Sequence, residues 1–323
     1  MCDHNFRAMR SSKAIGRRKI DAKELWRIFS QESSISMIKH VATHADKDQR
    51  NGSETDLNET FSYNQKAPLN QEEVGIEYRN GIFVHDISYA GVKGGRIRAY
   101  LVAPPGKGPF AGVIFLHPGP GNRSSFLDEA ITLAKANATC LLIDAPWADG
   151  ALFGKRASGR PEDVRNWFIE IAIDLRRAVD LISSLQSVDI NRIAFVGHSL
   201  GALFGGILSG VDKRIKASVL MAGVGSFTDV ARLNMPTLVG EELEKYKKIM
   251  EPIDPLRYIK NAAPSVLFFQ FGSKDLFFPR HKFLEYYEAG SNPKSIQWYN
   301  ADHYSLNEEG RSYRIEWLQG ILL

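Results

Sequence analysis

From about residue 80 onward, short continuous apolar runs alternate with segments that have helical periodicity. The apolar runs are "AGVIFLH", "ATCLLIDAP", "RIAFVGHS", "IKASVLMAG", "APSVLFFQFG" and "SIQWYN". Strands that are apolar throughout are buried on both faces, and their alternation with helices is typical of a mainly parallel sheet. The pattern therefore predicts an α/β fold with helices on both faces of a central sheet.

Two further β-rich segments come before the first of these runs. They are "GIFVHDISYA" and "GRIRAYLVAP", and the turn-like stretch "GVKGG" separates them. Two such runs joined by a short glycine-containing loop predict a hairpin. The sheet is therefore expected to carry an antiparallel hairpin at its amino-terminal edge.

The longest predicted helix begins near Pro161, a residue type suited to a first helical turn. Its apolar residues recur at three- and four-residue steps, which predicts one buried face; they are Val164, Trp167, Phe168, Ile171, Leu175, Ala178, Val179, Ile182 and Leu185. Shorter helices are predicted around "FLDEAITLAKAN", "LGALFGGILSG" and "PRHKFLEYYEAG". The stretch "SLNEEGRSYRIEWLQGILL" is predicted to form one closing helix.

Two segments depart from this alternation and define the expected domain organisation. Residues 224–262 contain helical sequence between two predicted strands, which indicates an inserted helical lid. Residues 1–78 include "DAKELWRIFSQ", a candidate amphipathic helix, followed by a polar stretch typical of loop or disorder. We therefore expect an amino-terminal extension over 1–78 and one folded domain over 79–323.

Charge is distributed unevenly along the 323 residues. The net charge is +4, and residues 1–50 hold 11 basic and 6 acidic side chains, so the remaining chain is close to neutral. A nucleic-acid-binding domain is expected to be basic, and this one is not. We therefore predict no nucleic-acid partner.

Cysteine content and hydropathy restrict the environment and the chemistry. The only cysteines are Cys2 and Cys140, which form neither a disulfide framework nor a metal-binding cluster. The sequence contains no apolar stretch long enough to span a membrane and no secretory h-region. We therefore expect a cytoplasmic protein without a membrane span, metal or cofactor; the sequence does not predict its oligomeric state.

The pentapeptide "GHSLG", Gly197 to Gly201, matches the pattern G-x-S-x-G. A predicted strand precedes it and an apolar helix follows, which is the setting of a nucleophile elbow. In such an elbow the glycines permit a tight turn, and the serine hydroxyl is exposed on a strained corner. Ser199 is therefore the candidate nucleophile.

A serine nucleophile needs a base, and the base needs a third group that orients it. His303 in "YNADHYSL" follows the last predicted strand, and Asp275 in "FGSKDLFFP" follows the strand before it. The order Ser, Asp, His is the order in which these residues occur in hydrolases with this elbow. Asp302 and Asp254 are weaker candidates for the acid, since one adjoins His303 in sequence and the other precedes its strand.

The stretches "FLHPGPG", "VDINRIAFVGHSLGA", "FGSKDLFFP" and "ADHYS" together resemble α/β-hydrolases, over about residues 80 to 323. The resemblance is closest to the dienelactone-hydrolase and prolyl-oligopeptidase-like branch. It implies the α/β-hydrolase fold and no cofactor. Two features depart from these relatives: the nucleophile is Ser199 where dienelactone hydrolases have cysteine, and the chain is too short for the β-propeller of prolyl peptidases.

The resemblance implies hydrolysis of a small or medium carboxylic ester, a lactone or a thioester through an acyl-enzyme on Ser199. It also implies an oxyanion hole made by the backbone N–H groups of Leu200 and Gly119, with Gly121 as the alternative to Gly119. A peptidase or amidase with the same triad and a catalytically silent binding protein on this fold remain alternative functions.

Three more residues are weaker candidates for the substrate pocket. Trp147 in "DAPWADG" is expected either to wall the pocket or to pack in the core. His198 is expected to pack beneath the elbow, and His117 is expected to brace the oxyanion loop rather than to act as the base.

Overall fold

The computed structural model describes residues 59–148, 150, 156 and 159–323. Within them nine strands form one sheet. The strands are β1 (Glu72–Arg79), β2 (Ile82–Ala90), β3 (Arg96–Ala103), β4 (Phe110–Leu116), β5 (Ala138–Ile143), β6 (Val188–His198), β7 (Ile215–Met221), β8 (Val266–Gly272) and β9 (Lys294–Tyr299). The candidate amphipathic helix in "DAKELWRIFSQ" and Cys2 lie outside the described residues.

The α-helices follow the strands in the predicted alternation. They are α1 (Leu127–Lys135), α2 (Pro161–Ser184), α3 (Leu200–Val211), α4 (Phe227–Asn234), α5 (Gly240–Met250), α6 (Pro255–Ile259), α7 (Arg280–Ala289), α8 (Leu306–Glu309) and α9 (Arg311–Leu322). Short 3₁₀ turns span Pro146–Ala148 and Glu251–Ile253. Among the described residues, no helix has both the length and the apolarity to cross a membrane.

The strand order is β1-β2-β3-β5-β4-β6-β7-β8-β9. Strands β5, β4, β6, β7, β8 and β9 pair in parallel, whereas β1, β2 and β3 are antiparallel. The predicted hairpin is confirmed as β2 and β3. The predicted mainly parallel sheet is therefore correct, with one antiparallel strand more than the sequence indicated.

Alternate side chains of β4 show how the sheet separates two apolar layers. Ile114 and Leu116 belong to one buried cluster, together with residues of α2 and α3. Val113 and Phe115 belong to the other, together with residues of α1 and α9. Helices therefore cover both faces of the sheet, as the continuous apolar runs predicted, and Cys140 in β5 is buried in the second layer.

The chain enters the sheet earlier than the predicted boundary between residues 78 and 79. Strand β1 spans Glu72–Arg79, and Phe61 is fully buried in the core. Every residue of β1 is exposed, because the strand lies at the sheet edge. Its apolar residues Val74, Ile76 and Tyr78 do alternate with Gly75 and Glu77, a period typical of a strand, so the predicted boundary passed over a pattern that the sequence contains.

The insertion between β7 and β8 consists of α4, α5 and α6, which places helices where the sequence predicted them. Phe227, Tyr246 and Met250 bury their side chains in the main core. The insertion is therefore anchored to the body of the domain through its own apolar residues.

The predicted closing helix is two helices, α8 and α9, which meet at Gly310. The Gln270 side chain donates to the Gly310 carbonyl oxygen over 3.1 Å. A Cβ added at Gly310 would lie 3.0 Å from that side-chain amide. The helix is interrupted where a buried glutamine from β8 approaches it, and such a long-range contact leaves no mark on local periodicity.

A buried ion pair joins the two helices on one face of the sheet. Arg314 of α9 and Glu129 of α1 are both fully buried, and the Arg314 Nε donates to Glu129 over 2.9 Å. A second donor of Arg314 reaches Asn307 over 2.8 Å. Burial raises the pKa of the Glu129 carboxyl and Arg314 opposes that rise.

Removal of either partner of this pair is expected to destabilise the fold. Breaking a buried pair leaves one charge uncompensated and typically costs about 3–5 kcal/mol. We therefore expect Arg314→Leu to lower the unfolding free energy by about that amount, measured by urea denaturation at neutral pH. The control is Asp163→Ala, which removes an exposed ion pair with Arg160. Equal stability of the two variants would contradict the prediction.

Candidate active site

Ser199 occupies the sharp turn between β6 and α3. Its φ of 55° and ψ of −118° lie in a region that residues other than glycine rarely adopt. The Ser199 N–H donates to the Met221 carbonyl oxygen of the neighbouring strand over 2.8 Å. Ser199 therefore has the strained backbone that the nucleophile-elbow motif predicted.

The glycines on either side of Ser199 allow close backbone contacts. A Cβ added at Gly197 would lie 2.4 Å from the Gly201 oxygen, and one added at Gly201 would lie 2.2 Å from the Leu116 oxygen. Real Cβ atoms do not approach backbone so closely. Both positions are therefore restricted to glycine by the packing of α3 against β4 and β6.

The structure brings His303 and Asp275 to Ser199. The His303 Nε2 lies 2.9 Å from the Ser199 Oγ, and the His303 Nδ1 lies 2.6 Å from the Asp275 Oδ2. The other Asp275 oxygen accepts the Phe277 N–H over 2.8 Å. The side chains of Asp275 and His303 are 0% and 4% exposed, so water does not compete for these contacts. This is the geometry of a Ser–His–Asp relay.

The two weaker acid candidates have other partners. Asp302 is exposed, and its Oδ1 accepts the N–H groups of Tyr304 and Ser305. Asp254 is buried and accepts from the Phe227 N–H over 2.7 Å and from the Ser226 hydroxyl over 2.9 Å. Asp302 therefore stabilises the turn that carries His303, and Asp254 anchors the start of α4.

The predicted oxyanion amides lie on two neighbouring segments. Leu200 opens α3, where the first N–H groups have no intrahelical acceptor. A Cβ added at Gly119 would lie 3.0 Å from the Leu200 Cδ1, so the Gly119 loop contacts the helix start. Gly121 instead packs against Pro118, Ser125 and His117. This arrangement favours Gly119 over Gly121 as the second donor.

His117 and Trp147 hold the loop that contains Gly119. The His117 Nε2 accepts the Ala145 N–H over 3.0 Å, so in the neutral ring Nδ1 carries the proton and donates to the Pro118 oxygen over 2.8 Å. The Trp147 Nε1 also donates to that oxygen, over 3.1 Å. Burial lowers the pKa of His117, which keeps the ring neutral.

Trp147 lies in the core and not at the surface of a pocket. It is 2% exposed and stacks on Phe204, with ring centroids 5.5 Å apart. Of the two alternatives that the sequence left open for Trp147, core packing is therefore the one observed. No local pattern predicts its hydrogen bond to the loop, since the Trp147 Nε1 and the Pro118 oxygen are 29 residues apart in sequence.

Arg123 anchors the far end of the same loop and was not anticipated from the sequence. Its guanidinium contacts both carboxylate oxygens of Asp86 over 2.6 and 2.8 Å, and its backbone N–H donates to Asp144 over 2.7 Å. The guanidinium also lies over the Tyr100 ring at 4.2 Å. These partners come from β2, β3 and the loop after β5, so no local motif would have identified them.

His198 and several aromatic rings surround His303. The His198 Nε2 donates to the His303 carbonyl oxygen over 2.8 Å. The Phe277 ring centroid lies 4.5 Å from that of His303, and Tyr304 meets it edge-on at 5.5 Å. His198 thus packs beneath the elbow, as expected, and contacts the backbone of the predicted base.

A cavity of about 820 Å³ lies between the β2–β3 hairpin, helix α2 and the carboxyl ends of β4 and β5. Leu116, Ala145 and Asn122 are among its lining residues, whereas the described lining includes none of the triad candidates and none of Trp147, His117 and His198. The three weaker pocket candidates are thus placed around the loops of the site and not on this cavity. Within the described residues, no cluster of three or more His, Cys, Asp or Glu side chains could hold a metal ion.

A strand–elbow–helix that presents a serine, set in a mainly parallel sheet, is the architecture of α/β-hydrolases. Residues 113–309, more than half of the chain, match the model of the alpha/beta hydrolase family. The chain belongs to that family, as the sequence resemblance predicted. No curated protein sequence matches the chain.

Solved structures share the fold. An acetyl xylan esterase from Paenibacillus sp. R4 superposes with a TM-score of 0.66 at 19% identity, covering 81% of this chain and 92% of its own. Acetyl xylan esterase 1 from Thermoanaerobacterium sp. JW/SL YS485 gives 0.65 at 17% identity, covering 83% and 92%. A putative dienelactone hydrolase from Klebsiella pneumoniae subsp. pneumoniae MGH 78578 gives 0.55 at 18%, covering 74% and 99%. At these identities the likeness establishes the fold.

The burial of Asp254 predicts a pH-dependent stability. Burial raises the pKa of the Asp254 carboxyl from 3.8 to about 7, so the folded state binds a proton at this carboxyl more tightly than the unfolded state does. The unfolding free energy therefore falls as pH rises between those values. We expect wild type to lose stability relative to Asp254→Asn from pH 4.5 to 7.5 in urea denaturation. Asp302→Asn is the control, because the pKa of that exposed carboxyl is lowered instead. Parallel pH curves for wild type and Asp254→Asn would contradict the prediction.

Proposed function

We propose that the protein is a serine hydrolase that cleaves a carboxylic ester of small or medium size, lactones and thioesters included. The observation that carries the proposal is the contact of the Ser199 Oγ with the His303 Nε2 over 2.9 Å, on an elbow whose histidine is paired with Asp275 over 2.6 Å. Three chain segments, from after β6, β8 and β9, supply these groups.

The proposed reaction is a two-step acyl transfer. His303 takes the Ser199 proton as the oxygen attacks the ester carbonyl, and it then gives the proton to the leaving alcohol. Asp275 holds the imidazole tautomer and stabilises its protonated form. Water activated by the same histidine releases the acid and restores Ser199. The Ser199 proton leaves with the alcohol, and a proton from the attacking water restores the serine hydroxyl through His303, so the enzyme is regenerated without a cofactor.

The proposed oxyanion hole consists of the Leu200 and Gly119 N–H groups. Among the described residues, neither N–H donates to a protein acceptor, so both remain available to a developing alkoxide. One such donor is worth about 3 kcal/mol in comparable sites. The contact between Gly119 and Leu200 supports their action as a pair.

The structural neighbours support the ester class. Two of them are acetyl xylan esterases, and another is a cold-adapted esterase from an Arctic intertidal metagenomic library, at 16% identity and a TM-score of 0.55. For this chain, these similarities favour ester hydrolysis over the peptidase and silent-binding alternatives. Which ester is the substrate is decided by experiment.

The nucleophile and base are tested by active-site labelling and turnover. We expect a fluorophosphonate probe to label wild type and to leave Ser199→Ala unlabelled. His303→Ala is expected to lower the turnover of p-nitrophenyl esters by about 10⁴-fold or more, because the serine loses its base. Circular dichroism of both variants serves as the folding control.

Absence of labelling in folded wild type would overturn the serine-hydrolase function and favour a silent binding protein. Faster turnover of aminoacyl anilides than of esters would favour the peptidase. Substantial activity in His303→Ala would identify another residue as the base.

The hydrogen bond from Trp147 to the loop that contains Gly119 gives a separate prediction. Trp147→Phe retains a ring to stack on Phe204 but removes the N–H that donates to Pro118. Because the loop then holds the Gly119 N–H less firmly, we expect kcat to fall about 10-fold. This fall is smaller than the one expected from the loss of a whole oxyanion donor. KM for the same ester is expected to change little. Trp317→Phe, the same substitution beside Phe268, is the control; equal kcat in the two variants would contradict the prediction.

A further inference from the structure

The Asp302 side chain stabilises the turn that carries His303 by accepting the Tyr304 and Ser305 N–H groups, but among the described residues a single hydrogen bond reaches the His303 backbone itself. His303 lies in the loop between β9 and α8, where neither a strand nor a helix fixes its position. The neighbouring residues are tied by the Lys274 N–H to the Ala301 oxygen over 3.0 Å and by the Leu306 N–H to the Asp302 oxygen over 3.2 Å. Among the described residues, the carbonyl of His303 itself accepts one hydrogen bond, from the His198 Nε2 over 2.8 Å.

His198 occupies a rigid position directly beside the candidate nucleophile. It is the last residue of β6, it pairs with Met221 in the parallel ladder, and it precedes Ser199 in sequence. Its side chain is buried, and its ring lies 5.4 Å from that of His303. One buried side chain therefore connects the strand that presents Ser199 to the loop that presents His303.

The protonation of His198 follows from its partner. A carbonyl oxygen only accepts, so Nε2 of His198 carries the proton in this contact. Burial lowers the pKa of His198 to about 3, so the ring remains neutral at the pH values where a serine hydrolase works. His198 thus supplies a neutral hydrogen-bond donor to the loop and adds no positive charge next to His303.

We propose that His198 is a positioning residue, which sets the Ser199–His303 distance by holding the His303 carbonyl. This inference rests on the proposed function. His198 does not touch the reacting atoms; it acts through the loop. Proton transfer between Ser199 and His303 depends on their separation, and a misplacement of about 1 Å can cost about 100-fold in rate.

A comparison of two substitutions separates positioning from simple core packing. His198→Gln keeps a side-chain N–H donor, whereas His198→Met fills a similar volume without one. For His198→Met we expect kcat to fall about 10- to 100-fold with KM nearly unchanged, and fluorophosphonate labelling of Ser199 to slow in parallel. For His198→Gln we expect kcat to stay within about threefold to fivefold of wild type, because the donor to the carbonyl is restored.

Matched controls are available in the chain. His85→Met and His85→Gln change a histidine of β2 that pairs with Glu73 of the edge strand β1, and both are expected to leave kcat unchanged. Thermal unfolding of all variants reports their folding. A kcat for folded His198→Met within about twofold of wild type would overturn the proposal, and so would equal losses of kcat in the Met and Gln variants, since packing alone would then explain the effect.

A second readout does not depend on activity. The proton between the His303 Nδ1 and Asp275 is expected to give a far-downfield ¹H NMR signal in wild type and in His198→Gln, and a broadened or weakened one in His198→Met. If wild type neither labels nor hydrolyses esters, the proposed function fails, and this comparison still decides the positioning role. An identical downfield signal in wild type and in His198→Met would then overturn it.

Discussion

The close approach of three backbone segments around the elbow is the constraint on which the site depends. Helix α3 begins so near to β4 and β6 that Cβ atoms at Gly197 and Gly201 would meet backbone oxygens at 2.4 and 2.2 Å. This contact places the start of α3, with the Leu200 N–H, beside the loop that leaves β4. It also forces Ser199 into its strained conformation. The sheet and its two apolar layers provide the rigidity that maintains this strain.

Buried polar side chains then hold the loops that the sheet does not fix. His117 and Trp147 both donate to the Pro118 oxygen, and Arg123 ties the far end of the same loop to Asp86. His198 holds the loop after β9 in a similar way. Such groups are costly to bury unless their hydrogen bonds are made, and once made they determine one loop geometry. Two neutral histidines with lowered pKa values serve this purpose, since a charged ring would be more costly at these positions.

Much of the fold and part of the site could be predicted from local patterns. The buried strands and the long helix starting at Pro161 were predictable because burial on a regular element leaves a period in the sequence. The break at Gly310 was not predictable, because it depends on Gln270 from a distant strand, whereas the alternation of Val74, Ile76 and Tyr78 in β1 was present in the sequence and lay before the predicted boundary. The choice of Asp275 over Asp254 rested on its place after β8, and its role remains a proposal that the observed contact with His303 supports.

The sequence by itself determined the class of the sheet, the family resemblance and the positions of Ser199, Asp275 and His303 relative to their strands. These follow from short-range rules: hydrophobic period, glycine at a tight turn and a polar residue at a strand end. Only the tertiary structure decided what Trp147 and His198 contact, because each acts on a segment distant in sequence. Hydrogen bonds across such separations depend on the packing of whole layers, and no local pattern encodes them.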